Sequence, residues 1–332
     1  MRRRDFISLG GTAILPLMVI PRLAGAQQAQ QVRRIGVLMS SAADDSEAKV
    51  RTAIFQQVLQ ERGWTMGRNL QLDYRWGPNI ADRLRRDATE LAALSPDVIV
   101  ASTGTAAQIA QEVSPNVSVV FVGIIDAVAG GRVESLARPG GNATGFISLE
   151  YGLSGKFLEL LKEVAPRMTR VAVLRDPTTP GGSGQYGALQ AASPSYRVEL
   201  TPINVRDPGA IERGMAAFAR EPNGGLIVQA SALATFHRET IIALAARYRL
   251  PAVYANSTFV SSGGLISYGA TQVELWRGAA DYVDRILRGT KPADLPVQTP
   301  TKYELAINLK TAKALGLEIP PTLITRADEV IE

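Results

Sequence analysis

The chain has 332 residues, 46% hydrophobic and 20% charged, with 36 Lys and Arg against 31 Asp and Glu. It contains no cysteine, which excludes disulfides, thiolate metal sites, a cysteine nucleophile and a lipid carried on cysteine, and its single histidine, His237, excludes a multi-histidine metal cluster. Of the formal charge of +5, Arg2, Arg3, Arg4 and Arg22 against Asp5 place +3 in the first 26 residues and leave +2 for the rest, so no basic footprint for nucleic acid is expected.

The first 26 residues read as an export signal. Arg2 to Arg4 form a charged start, Phe6 to Leu23 a mostly apolar run, and Ala24, Gly25 and Ala26 a small-residue cleavage pattern. Pro16, Pro21 and Arg22 cut the run short of the roughly 20 apolar residues a spanning helix needs, and no later run approaches that length. Arg3 and Arg4 before Asp5, Phe6 and Ile7 resemble a twin-arginine signal, although the pair also serves an ordinary charged start. The mature chain is expected to begin near Gln27 and to work as a soluble protein outside the cytoplasm.

Beyond the signal, short β-branched runs alternate with longer segments of helical period, the pattern of parallel sheets with crossover helices. Strands are expected at 35–39, 70–76, 98–100 and 117–122, with helices over about 46–62 and 80–94 and a third opening at 102–105. After the Gly- and Pro-rich segment 137–145, a helix over about 153–164 places Phe157, Leu160, Leu161 and Val164 on one stripe. Further strands are expected at 171–174, 197–201, 225–228 and 251–254, with helices near 209–220 and 239–249. Leu275, Ala279, Val283 and Ile286 share a helical face, an extended segment carries Pro292, Pro296 and Pro300, and a last helix over about 308–315 meets Gly316. The fold class is therefore α/β, with two Rossmann-like lobes and a ligand cleft between them. The expected domains are 32–147 joined by about 270–289, and 148–269 joined by about 290–332.

No catalytic machinery is recognisable. The chain lacks a GxSxG nucleophile elbow, an HExxH zinc pattern and a P-loop. Gly182, Gly184 and Gly187 match GxGxxG, but Arg175 to Pro180 separate them from the preceding strand, so a flexible loop at the cleft mouth is expected in place of a dinucleotide site. His237 lies at a helix start, where a solvated or capping imidazole is the ordinary case. No cofactor, metal ligand or catalytic residue is assigned.

The functional candidates are polar residues directly after strands, because open α/β sheets bind ligands beyond the carboxyl ends of their strands. They are Ser40, Ser41, Ser102, Thr103, Gly104, Thr105 and Asp126 in the first lobe and Asp176, Ser231 and Asn256 in the second. The Thr103–Thr105 turn feeds a helix whose unpaired N–H groups suit a carboxylate, and a simple capping role can coexist with that. Asp126 or Asp176 could meet an ammonium, with Ser231 and Asn256 as neutral partners, or each could serve only its turn. Tyr186, Tyr254 and Tyr268 either stack on a ligand ring or pack in the core.

Two segments carry a family resemblance. Residues 135–145, Ser-Leu-Ala-Arg-Pro-Gly-Gly-Asn-Ala-Thr-Gly, and the tail, with Gly289 to Pro296, Asn308 to Gly316, Ile319 to Pro321 and Arg326 to Glu332, resemble an ABC transporter substrate-binding protein family. The resemblance implies a type I periplasmic binding fold whose lobes close on a small molecule, and some members are associated with uptake of aromatic amino acids. It implies a periplasmic receptor with a small-molecule ligand and an inner-membrane ABC permease as partners; a monomer is expected. The ligand expected is an amino acid or related carboxylate. A sensor for a signalling partner, or an enzyme on the same scaffold, are the alternatives.

Overall fold

The computed structural model describes residues 32–332; the export-signal reading of residues 1–26 lies outside them. In the first lobe the order is β1 (Arg33–Met39), α1 (Ser46–Glu61), β2 (Leu70–Trp76), α2 (Ala81–Ala93), β3 (Val98–Ala101), α3 (Gly104–Val113), β4 (Ser118–Ile125) and β5 (Ala143–Leu149). The second lobe continues with α4 (Ser154–Val164), β6 (Arg170–Arg175), α5 (Pro180–Tyr196), β7 (Glu199–Asn204), α6 (Pro208–Phe218), β8 (Gly224–Val228), α7 (Ala232–Phe236), α8 (Arg238–Arg247), β9 (Ala252–Tyr254), α9 (Ser257–Ser261) and β10 (Ile266–Ala270). Then come α10 (Gln272–Leu287), β11 (Tyr303–Asn308), α11 (Leu309–Leu315), α12 (Pro321–Arg326) and β12 (Glu329–Ile331).

The first sheet runs β2-β1-β3-β4-β5 with every pairing parallel. The second runs β12-β11-β10-β9-β8-β6-β7 and is parallel except where β10 meets β11. Parallel strands are covered on both faces, which is why β3 is apolar and buried throughout its length. On one face of the first sheet lie Leu84, Leu91, Ala106 and Ala110 of α2 and α3; on the other, Phe55 and Leu59 of α1 meet Trp276, Ala279 and Val283 of α10. Phe55 and Trp276 touch edge to face with centroids 5.8 Å apart.

Helix α10 follows a strand of the second sheet yet packs its apolar stripe on the first lobe, so the chain crosses between lobes before it. The proline-bearing segment that follows stays on the first lobe. Thr144 Oγ1 donates to Leu295 O at 2.5 Å, Gln298 N to Gly145 O at 2.9 Å and Ile147 N to Gln298 O at 2.9 Å. The chain then returns to the second sheet as β11. Three crossings, after β5, after β10 and before β11, join the lobes and position the cleft.

The sequence reading places no strand at β10, β11 or β12 and no helix at α7, α9 or α12, and it differs at two further segments. The Gly- and Pro-rich stretch is followed directly by β5, a fifth strand. Its Gly145 passes so close to β4 that a Cβ there would lie 2.0 Å from Phe121 O, so the glycine that looks like a strand breaker is what admits the strand. The expected flexible loop at Gly182–Gly187 is instead the start of α5. Thr179 caps it by accepting from Gly182 N at 3.1 Å, and Pro180 occupies the first turn, where its missing N–H costs nothing.

Candidate functional site

Beyond the carboxyl ends of both sets of strands lies a cavity of about 800 Å³, walled by both lobes. All ten residues singled out in the sequence line it: Ser40, Ser41, Ser102, Thr103, Gly104, Thr105 and Asp126 from the first lobe, Asp176, Ser231 and Asn256 from the second. Their common position follows from parallel topology, which points every strand end of a lobe in the same direction.

On the first-lobe wall a hydroxyl network fixes the turn into α3. Thr103 Oγ1 caps the helix by accepting from Ala106 N at 3.1 Å and donates to Asn79 Oδ1 at 2.9 Å. Ser40 Oγ lies 3.3 Å from the same Asn79 oxygen, and Ser102 Oγ accepts from Ser40 N at 2.8 Å. With the Ala106 amide used by the cap, the Gly104 and Thr105 amides are the helix-start donors left at the cavity wall. Thr103 is therefore a cap, and its capping leaves the Gly104 and Thr105 amides uncommitted.

The two aspartates are each half committed. Asp126 has left-handed backbone (φ +44°), and its Oδ1 accepts from Val128 N at 3.1 Å and Ala129 N at 2.9 Å. Buried Asp176 accepts through Oδ1 from Thr178 N at 3.0 Å and Thr178 Oγ1 at 2.7 Å. In both, the turn role anticipated for the residue is real and takes one carboxylate oxygen. Burial and, second to it, the Asp126 charge raise the pKa of the Tyr151 phenol. Ser231 caps α7 through Ala234 N at 3.4 Å, and Asn256 Nδ2 donates to Thr235 Oγ1 at 3.3 Å.

The three tyrosines are absent from the cavity wall. Tyr254 is buried against Phe259, with centroids 4.6 Å apart, and burial drives its phenol far above the ordinary range. Tyr268 stacks on Tyr303 at 5.7 Å, and Tyr186 lies under Arg175 at 4.7 Å. The aromatic ring at the wall is Phe236, half exposed, with His237 edge-on to it at 5.2 Å. His237 links α7 to α8 and is held below its ordinary pKa by burial; it does not line the cavity.

Other lining residues went unnoticed in the sequence. Asn79 follows β2 and obeys the same strand-end rule that selected the serines, but Gly77 and Pro78 before it disguise it as turn filler. Arg51, Arg132, Arg206 and Arg238 also reach the wall. Arg206 Nη1 donates to Thr178 Oγ1 at 2.8 Å, and Arg132 is folded onto Gly130 O. Arg238 pairs across the cleft with Asp45, which caps α1, at 2.9 Å. Among the described residues no group of acidic, histidine and cysteine side chains is arranged to hold a metal ion, and no helix is long and apolar enough to cross a membrane.

The family described as ABC transporter substrate binding protein matches residues 35–331. A relative named tyrosine-binding protein, from Clostridioides difficile, is 23% identical over 270 residues, covering 80% of this chain and 76% of its own. Among solved structures, a conserved domain protein from Vibrio cholerae superposes with a TM-score of 0.84 at 23% identity, covering 90% of this chain and 100% of its own. An ABC domain from Streptococcus pneumonia in complex with L-Trp superposes with a TM-score of 0.83 at 21% identity, covering 91% and 100%. The architecture of two parallel-sheet lobes with three crossings is the type I periplasmic binding fold.

Proposed function

The chain belongs to the ABC transporter substrate-binding protein family, and from that premise we propose that it is an extracytoplasmic receptor that captures an amino acid or related carboxylate between its lobes and presents it to an importer permease. The observation that carries the reading is the two-walled cavity itself: free helix-start amides at Gly104 and Thr105 on one wall, with the carboxylates of Asp126 and Asp176 on the same cavity. An α-carboxylate meets the amides, where backbone N–H groups and the helix dipole favour negative charge. An ammonium meets the carboxylate oxygens that the Asp126 and Asp176 turns leave over. The tyrosine-binding relative and the L-Trp complex support an amino-acid-type ligand.

Binding works by population shift. Ligand contacts from both lobes favour the closed arrangement, and a permease that recognises that arrangement responds to occupancy. The test is a thermal-shift screen of the twenty L-amino acids, followed by calorimetric titration of each that stabilises. A ligand at one hundred times its Kd adds about 2.7 kcal/mol of stability, so a genuine ligand is conspicuous. Saturable one-to-one binding without turnover is the expected result. Chemical conversion of the bound compound, or stabilisation by compounds with neither a carboxylate nor an amine, overturns the proposal.

A further inference from the structure

Three buried polar atoms of residues lining the cavity have no hydrogen-bond partner among the described residues: Ser41 Oγ, Arg51 Nε and Arg238 Nε. Two of them can only donate, and the third donates when its partner is an acceptor. They come from separate elements on both sides of the cleft: Ser41 from the loop after β1, Arg51 from α1, and Arg238 from the start of α8. Asp45 ties the group together, since its Oδ2 pairs with Arg238 Nη1 across the lobes while its Oδ1 caps α1.

Arg51 is the unusual member. Among the described residues it forms neither a hydrogen bond nor an ion pair; Glu47 and Asp45 act on it only through space, and burial pulls its guanidinium below the usual range. A half-buried charge at the cavity wall with no carboxylate in contact costs stability unless something supplies one. Glu47 and Asp45 compensate the charge in part without touching it, Arg238 opposes it, and Asp44, Asp45 and Glu239 also line the wall, so what the guanidinium lacks is an acceptor in contact, and the cavity is where one can be supplied.

We infer that Ser41, Arg51 and Arg238 form a second acid-binding subsite, so that the ligand carries an acidic group in addition to the carboxylate received at Gly104 and Thr105. The inference rests on the receptor function proposed above and narrows its ligand to an acidic amino acid or a dicarboxylate. It also runs against a neutral aromatic side chain, because Phe236, half exposed, is the one ring among the described lining residues where a stacking surface would be needed. Binding at this subsite engages both lobes, so the acidic group also favours closure.

The experiment is calorimetric titration of the purified chain and its Arg51→Gln and Arg51→Lys variants with matched acid and amide probes. The probes are L-glutamate against L-glutamine, 4-carboxy-L-phenylalanine against its side-chain amide, and glutarate and terephthalate as diacids without an amine. The acid of a pair is expected to bind about tenfold or more tightly than its amide, equivalent to about 1.4 kcal/mol; R51Q is expected to abolish that preference and R51K to restore part of it. The melting temperature of ligand-free R51Q is expected to equal or exceed that of the parent, because the substitution removes an uncompensated charge. Amides binding as well as acids, a preference retained in R51Q, or no acidic probe binding at all each overturn the subsite, as does a marked drop in the ligand-free melting temperature of R51Q. Tight binding of L-tyrosine or L-tryptophan that R51Q leaves unchanged overturns the subsite and leaves the receptor reading standing. Binding of the diacids without any amino acid supports the subsite and overturns the amine contact of that reading.

Discussion

The Gly182–Gly187 motif separates two uses of glycine within one helix, and alanine substitution measures the difference. A Cβ on Gly182 would lie 2.0 Å from Asp176 O and 3.1 Å from Thr179 Oγ1, the backbone and cap that present Asp176 to the cavity. The nearest atom is main chain and cannot swing aside, so relief requires moving the β6–α5 turn by about an ångström. Overpacking of this kind costs about 1–3 kcal/mol, against at most about 1 kcal/mol gained from the helix propensity of alanine. A net loss of about 1–2 kcal/mol lowers the melting temperature by about 2–4 °C, at the low end of the sensitivity of large domains. Gly187 is the control, since it lies in the same helix with nothing within 4 Å of its would-be Cβ. Gly187→Ala should raise the melting temperature by a few degrees, about 1 kcal/mol of helix propensity. Scanning calorimetry of the two variants, with calorimetric titration of a ligand found in the amino-acid screen, checks both links. Gly182→Ala should also weaken binding, because the turn it displaces carries Asp176. A Gly182→Ala protein that melts like the parent and binds with unchanged affinity would refute the steric account.

Thr103→Ala removes the α3 cap and the bond to Asn79, and is expected to cost about 1 kcal/mol of stability while weakening ligand binding; Asp176→Asn, which keeps an acceptor for Thr178, is expected to weaken binding of an amine-bearing ligand with little change in melting. Unchanged affinity in both variants, measured by titration, would dismiss the proposed contacts. His237, the sole histidine, gives an unambiguous NMR titration, expected with a midpoint below 6.5 because burial disfavours the imidazolium. The unfolded chain then binds more protons in that range, so His237 removes stability as pH falls from 6.5 through its folded midpoint; a His237→Gln variant should lose that part of the acid dependence in denaturant titrations. Tyr282 Oη donates to Pro296 O at 2.7 Å and accepts from Gln298 Nε2 at 2.8 Å, anchoring the third interlobe crossing. Tyr282→Phe leaves Pro296 O and Gln298 Nε2 only their 3.2 Å bond to each other and should cost about 1 kcal/mol, with hydrogen exchange accelerated at 297–298.

The regular parts of the fold were legible because parallel strands buried on both faces are written as dense apolar runs; β2 at Leu70–Trp76 was located to the residue. Among the failures, which include the unanticipated strands β10, β11 and β12, two fall where glycine means contact instead of freedom. Gly145 and Gly182 read locally as a breaker and a loop, yet each admits a neighbouring carbonyl that a Cβ would strike at 2.0 Å. That neighbour is Phe121 in one case, 24 positions away, and no local pattern marks it. Helix α5 hid for the same reason: three glycines and a proline at its start depress its propensity, while tertiary packing and the Thr179 cap set its conformation.

The cavity was legible to a different depth. Residues that follow strands could be selected because topology alone sends strand ends to one side, and ten such residues share one wall-to-wall space. Arginines escape that rule. Arg51 sits on α1 five residues after its start, in a charged stretch with Glu47 and Lys49 that resembles any solvated helix face. What distinguishes it is the absence of a partner among the described residues, a property of the folded surfaces around it and not of a segment. Strand ends tell where a ligand goes, and unpaired side chains tell what it must carry; if matched acid and amide probes bind equally, the second inference falls and the first survives on its own evidence.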